Sequence, residues 1–137
     1  IIGIYKDKQL IETIKSDGRS SEVLPEIFKT LLSKYEFGHI VYASGPGSFM
    51  AIKVSYIFLR TLCLVKNIPL LATDAFYFND NAPIKAVGKL YFVKNRDTIE
   101  TQSFSEVPSM EFALPQDLIL EDFSEETVPF YGIGAVG

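Results

Sequence analysis

The amino-acid sequence predicts an α/β layer, and three observations carry that expectation. Two stretches, 20–32 and 48–66, repeat apolar residues at helical spacing. Short β-prone apolar runs at 39–44 and 68–73 flank the second stretch, which is the strand–helix–strand order of a right-handed parallel crossover. Two further short strands, at 1–5 and 9–14, precede the first helix across a polar turn at Lys6, Asp7 and Lys8.

Composition bounds what such a layer can do. At 137 residues and 15.3 kDa the chain is one domain by size, large enough to bury a core without disulfides or a metal. With 47% hydrophobic and 22% charged residues, extended disorder is not expected. The longest apolar run, 54–65, is interrupted by Ser55, Arg60 and Thr61 and falls short of the ~20 residues of a membrane span. The apolar opening at 1–5 is too short for a secretory h-region and has no basic flank. A net charge of −4 and a pI near 5.0 argue against nucleic-acid binding by this chain acting alone. A lone cysteine, Cys63, excludes an intramolecular disulfide and suits a reducing compartment. A lone histidine, His39, excludes any site that needs two.

Each element has a local reason. Ser20 or Ser21 can cap the first helix, whose apolar positions are Val23, Leu24, Ile27, Phe28, Leu31 and Leu32. Pro25 is tolerated there if it falls in the first turn. The second helix starts from the turn Gly45-Pro46-Gly47-Ser48. Taking Lys53 as reference at ~100° per residue, Phe49, Tyr56, Ile57, Arg60 and Leu64 share its face. Ala51, Val54, Phe58, Leu62 and Val65 oppose them and are expected to meet the sheet. Both faces carry large apolar groups, the pattern of a helix lying between a core and a protein interface. A helix sandwiched inside the domain has the same pattern.

Beyond residue 78 the character changes. Asn79-Asp80-Asn81-Ala82-Pro83 reads as a boundary, so 1–78 is expected to be one α/β portion and 79–137 a shortened β-rich one. A hairpin is expected from 89–93 and 98–104 around Asn95-Arg96-Asp97. The acidic residues between Asp117 and Glu126 lack the spacing of a calcium loop and read as a solvated face. Cys63 reads as a core residue, His39 as a strand residue bonding locally, and Asp74 as a helix cap.

The turn Tyr42-Ala43-Ser44-Gly45-Pro46-Gly47-Ser48-Phe49 is the most specific stretch. Its glycines permit tight backbone geometry, Ser48 can cap the helix, and free N–H groups at the helix start can hold an anion. A plain capped turn explains the same residues. Met50 at the third glycine position excludes a dinucleotide fingerprint, and no Gly-Lys-Ser/Thr ending makes it a P-loop.

This turn, with Ile52-Lys53-Val54 and Asn67-Ile68-Pro69-Leu70, resembles the TsaB (YeaZ) family of tRNA threonylcarbamoyladenosine biosynthesis proteins. Ser20-Ser21-Glu22 with Leu24-Pro25 resembles that family's first helix, and Phe130-Tyr131-Gly132-Ile133-Gly134-Ala135 its late Gly-x-Gly-Ala turn. Met50-Ala51 stands where the family has Thr-Gly, and Lys53 where it has arginine, which keeps the charge and loses the planar fork. The family's opening strand, with its Asp-Thr-Ser/Ala phosphate-loop signature, is missing from residues 1–137: either the chain is a divergent member or those residues precede Ile1.

The resemblance implies an actin/Hsp70-like (ASKHA, ribonuclease H-like) fold with a mixed sheet, flanking helices and an abbreviated second half. It implies a non-catalytic cytoplasmic subunit that binds and activates TsaD, which transfers threonylcarbamoyl to N6 of adenosine 37 in tRNA. The implied interface draws on Leu24, Phe28 and Leu31 of the first helix with Phe49, Lys53, Tyr56, Ile57 and Arg60 of the second. Alone, the chain is expected to form a homodimer through these helices. Gly45, Gly47 and Ser48 are the candidate nucleotide or anion turn. No catalytic residue, metal or cofactor of its own is expected; ATP or ADP belongs at the complex with TsaD, and TsaE is a further candidate partner. No direct tRNA binding is expected. The competing readings are an ASKHA-type ATPase or M22-like peptidase, and a homodimeric structural protein.

Overall fold

A computed structural model describes residues 1–15, 20–86, 88–108 and 111–130, with the side chains of Ser20, Ser21 and Phe49 excepted. The polar loop at 16–19 and the Gly-x-Gly-Ala stretch after Phe130 therefore lie outside the described residues, as do the expected caps from Ser20 or Ser21.

Ile2–Lys6 (β1) and Gln9–Ile14 (β2) form an antiparallel hairpin. Asp7 and Lys8 in its turn adopt left-handed φ values of 52° and 68°, the geometry that matches a tight hairpin to strand twist. A register shift between Ile4 and Tyr5 marks a bulge in β1.

Helix α1, Ser20–Lys34, buries Phe28 and Leu31 while Glu22, Glu26 and Lys29 stay in solvent. Pro25 is its sixth residue rather than part of the first turn; it sits on the exposed side, where the helix forgoes one backbone bond. Ile40–Ala43 (β3), Phe49–Lys66 (α2) and Leu70–Thr73 (β4) then make a parallel crossover, with Ile40 paired to Leu70 and Ala43 to Thr73. Asn67 stops α2 in a left-handed conformation (φ 56°), and Asn67 and Ile68 both donate their amides to the Cys63 carbonyl. Phe28, Ile40, Tyr42, Leu59, Cys63, Leu70 and Ala72 form the first core.

The second half opens with a 3-10 turn at Ala75–Phe78. Asp74 occupies its N-cap position, but the carboxylate makes no cap bond and pairs instead with Lys94. Ile84–Lys85 (β5), Leu90–Asn95 (β6) and Thr98–Ser103 (β7) form an antiparallel sheet. Ala75, Phe76, Ile84 and Phe92 are its buried core.

The chain then runs back over the first half. Leu10 donates to Gln116 (2.9 Å) and Leu118 to Lys8 (2.8 Å), while Ala72 and Ser124 exchange amide bonds of 2.9 and 2.7 Å. Phe130 closes the return by donating to the Ser44 carbonyl at 2.7 Å. This strap, 112–130, ties the two halves together. The described strands lie in three small sheets rather than one: β1–β2, β3–β4 and β5–β6–β7. An apolar cavity separates β1 from β3.

Candidate functional site

The turn after β3 and the outer face of α2 are adjacent, and both follow from the same few residues. Gly45 has φ +106°, a conformation open to glycine, and its peptide with Pro46 is cis. A Cβ built on Gly45 would collide with the carbonyl oxygen of Phe130. Gly45 and Pro46 are buried, and the Gly45 carbonyl accepts the Ala75 amide at 2.8 Å. Gly45 is thus covered by an oxygen, whose sign repels an anion. The open part of the turn is the half-buried Gly47 and the exposed Ser48. Ser48 holds the N-cap position of α2 without a side-chain cap bond; its carbonyl accepts the Ile52 amide at 3.0 Å.

Helix α2 is turned differently from the expected phase. Ile52, Leu59 and Cys63 are the residues it buries, with Tyr56 beside them. Phe58 and Leu62 are half-buried, and the Phe58 ring lies 5.6 Å from that of Phe28 on α1. Ala51 and Val65 (75%), expected on the sheet side, are exposed, as are Met50 (62%), Ile57 (53%) and Leu64 (71%). Met50, Ile57 and Leu64 recur every seventh residue, so they form one stripe along the outside of the helix. An apolar stripe of this kind on a helix surface is the usual mark of a partner surface. The phase was ambiguous in the sequence because large apolar residues occur around the whole circumference.

The expected interface residues separate into three groups. Lys53 and Ile57 are exposed on the outer side of α2. Phe28 and Leu31 are buried in the core, at 8% and 3% exposure, and Leu24 packs half-buried against it. In this fold, α1 turns those three inward and presents a polar outer face. Tyr56 stacks on Tyr42 with ring centroids 6.2 Å apart. Arg60 reaches the strap, where Nη1 donates to Thr127 Oγ1 at 3.4 Å, and its Nε is buried. The Phe49 side chain lies outside the described residues. Met50 and Val65 were not singled out as contact residues from sequence, and Leu64 was placed on the outer face without being named a contact; the heptad spacing of Met50 and Leu64 with Ile57 was the available signal.

The remaining single residues are quiet. Burial pushes the Cys63 thiol up, the Arg60 charge pulling the other way, so its sulfur stays a neutral core group. His39 is exposed just ahead of β3 rather than buried in it. Among the described residues, no three His, Cys, Asp or Glu side chains gather as a metal site would require. No described helix is long and apolar enough to cross a membrane.

No protein-family model matches the chain, and no curated protein matches it.

Proposed function

We propose that this chain is a non-catalytic partner subunit that binds TsaD and activates it for threonylcarbamoyl transfer to tRNA. The observation that carries the reading is the outward stripe of Met50, Ile57 and Leu64 on α2, with exposed Val65 next to its end. It directly follows the Gly45-to-Phe49 turn on which the resemblance rests. The stripe fits a protein–protein contact: an apolar centre, with Lys53 exposed at its side as a polar rim. Activation would act by position, since binding energy that favours one arrangement of TsaD shifts its population toward that arrangement. ATP or ADP would be held by the complex, and the compartment would be the cytoplasm, where tRNA is modified.

Light scattering behind size exclusion tests this. The chain mixed with TsaD and ATP is expected to elute as a mixed complex, and Ile57→Asp is expected to abolish that complex. A persistent homodimer beside free TsaD would overturn the reading.

A further inference from the structure

Strand β7 forms one side of the second sheet, and its hairpin fixes which of its backbone groups are already used. Asn95 and Thr98 flank the two-residue turn, where Arg96 has φ 60°, and form a pair that exchanges both bonds. Antiparallel pairs alternate from there, so Val93 with Glu100 and Tyr91 with Gln102 bond across the ladder. The Phe104 amide donates to the Lys89 carbonyl at 3.0 Å, in the same phase. On the other side of β6, Ala86 donates to Leu90 at 3.0 Å, so Leu90 and its alternates turn toward β5. Ile99, Thr101 and Ser103 therefore direct their N–H and C=O groups away from β6, along an edge that no described strand covers.

Sheet edges are usually blunted by lysine, proline or a bulge. Strand β7 reads Thr-Ile-Glu-Thr-Gln-Ser, with neither lysine nor proline, and its register with β6 runs unbroken. All its residues are exposed except Ile99, which is half-buried.

This edge is complementary to itself. About a twofold axis through Thr101, a second β7 lies antiparallel to the first. Ile99 then faces Ser103 of the copy and Thr101 faces its own counterpart, so every outward donor meets an outward acceptor. Between these pairs, Glu100 lies opposite Gln102 of the copy, at the positions where cross-strand side chains approach most closely. The carboxylate accepts from the carboxamide, and symmetry makes that contact twice. Centring the copy on Glu100 instead would lose a backbone pair and oppose two carboxylates. Centring it on Gln102 would lose a pair and leave Glu100 without its amide.

We propose that β7 is a self-association edge, through which two copies of this chain pair in the register centred on Thr101. Their three-stranded sheets become one. A single short strand buries little surface, which places the dimer in the weak, reversible class of interfaces. The edge shares no residue with the α2 stripe, and the proposal does not rest on the TsaD reading.

Sedimentation velocity of the whole chain from about 5 to 500 μM, a range suited to a small interface, tests this. The weight-average mass is expected to rise from monomer toward dimer. Thr101→Pro removes the amide at the axis, which β6 does not use, and is expected to give a monomer throughout. Two side-chain variants test the register without altering the backbone. Gln102→Glu opposes carboxylates and is expected to weaken the dimer about five-fold or more, while Gln102→Lys is expected to tighten it. In residue-resolved hydrogen exchange, the Ile99, Thr101 and Ser103 amides are expected to slow as concentration rises, with Glu100 and Gln102 slow throughout. Ile57→Asp is expected to leave the dimer unchanged, which keeps this result apart from the fate of the TsaD reading. A chain that stays monomeric would overturn the proposal, as would a dimer that Ile57→Asp dissolves and Thr101→Pro leaves intact. Slow exchange of the three amides at every concentration would overturn it too, because the polypeptide would then cover its own edge. Equal effects of Gln102→Glu and Gln102→Lys would refute the register.

Discussion

At the scale of single residues, Gly45 is the position with least freedom. Its φ of +106° and the Phe130 carbonyl lying on it leave no room for a side chain. Gly45→Ala is expected to cost about 1–3 kcal/mol from backbone strain alone, read from the urea unfolding midpoint. Gly47 sits two residues away, yet a Cβ there would meet only Ile52 Cδ1 at 3.5 Å, an ordinary contact. Gly47→Ala is expected to be neutral or to stabilise by up to about 1 kcal/mol. Equal losses at the two positions would mean that the close approach of Phe130 is wrong. Tyr77 gives a second handle. Its hydroxyl is pushed up to about 12, first by burial and then by donation to the Asp122 carboxylate at 2.8 Å and by that group's charge. The folded state therefore favours the neutral phenol. That stability is complete below the ordinary value of 10.0 and declines as pH rises from there toward about 12. Tyr5 and Tyr35 are also pushed up, first by burial, so Tyr77→Phe is expected to reduce the alkaline decline by its own share, seen in unfolding midpoints measured across that range.

At the scale of elements, the two helices carry opposite kinds of phenylalanine and isoleucine. Phe28 on α1 is a core group, so Phe28→Ala is expected to cost about 3–5 kcal/mol. A charged residue there would unfold the domain rather than probe an interface. Ile57 on α2 faces solvent, and Ile57→Asp is expected to change stability by no more than about 0.5 kcal/mol. Comparable losses in thermal unfolding would place Ile57 in the core. The helices themselves were legible from spacing, as was the hairpin turn at Asp7 and Lys8. The phase of α2 was not, because residues such as Val54, Phe58 and Val65 compete with Ile52 and Leu59 for the core on apolar character alone. Nor was the Phe130–Gly45 contact legible: periodicity reports one element's faces and carries no information about a segment over eighty residues away. The turn at Gly45 could be recognised in sequence, whereas what covers it could not.

At the scale of the whole molecule, the halves are joined by bonds between distant parts of the chain. Tyr5 donates its hydroxyl to Pro115, 110 residues away, and Tyr42 to Thr127, 85 residues away. The ion pair of Asp74 with Lys94 also links the first portion to the second sheet. Such an arrangement sets the order of events during synthesis. The hairpin, both helices and the β3–β4 pair all leave the ribosome before their fastening exists. They wait, with Ala72 and Ser44 unpaired on one side, until residues near 115–130 emerge. Long-range closure of this kind is entropically costly and slow compared with local helix formation. The nascent chain accordingly passes through an interval in which the exposed edge of β4 is open to other chains, a window that a co-translational partner or chaperone would have to cover.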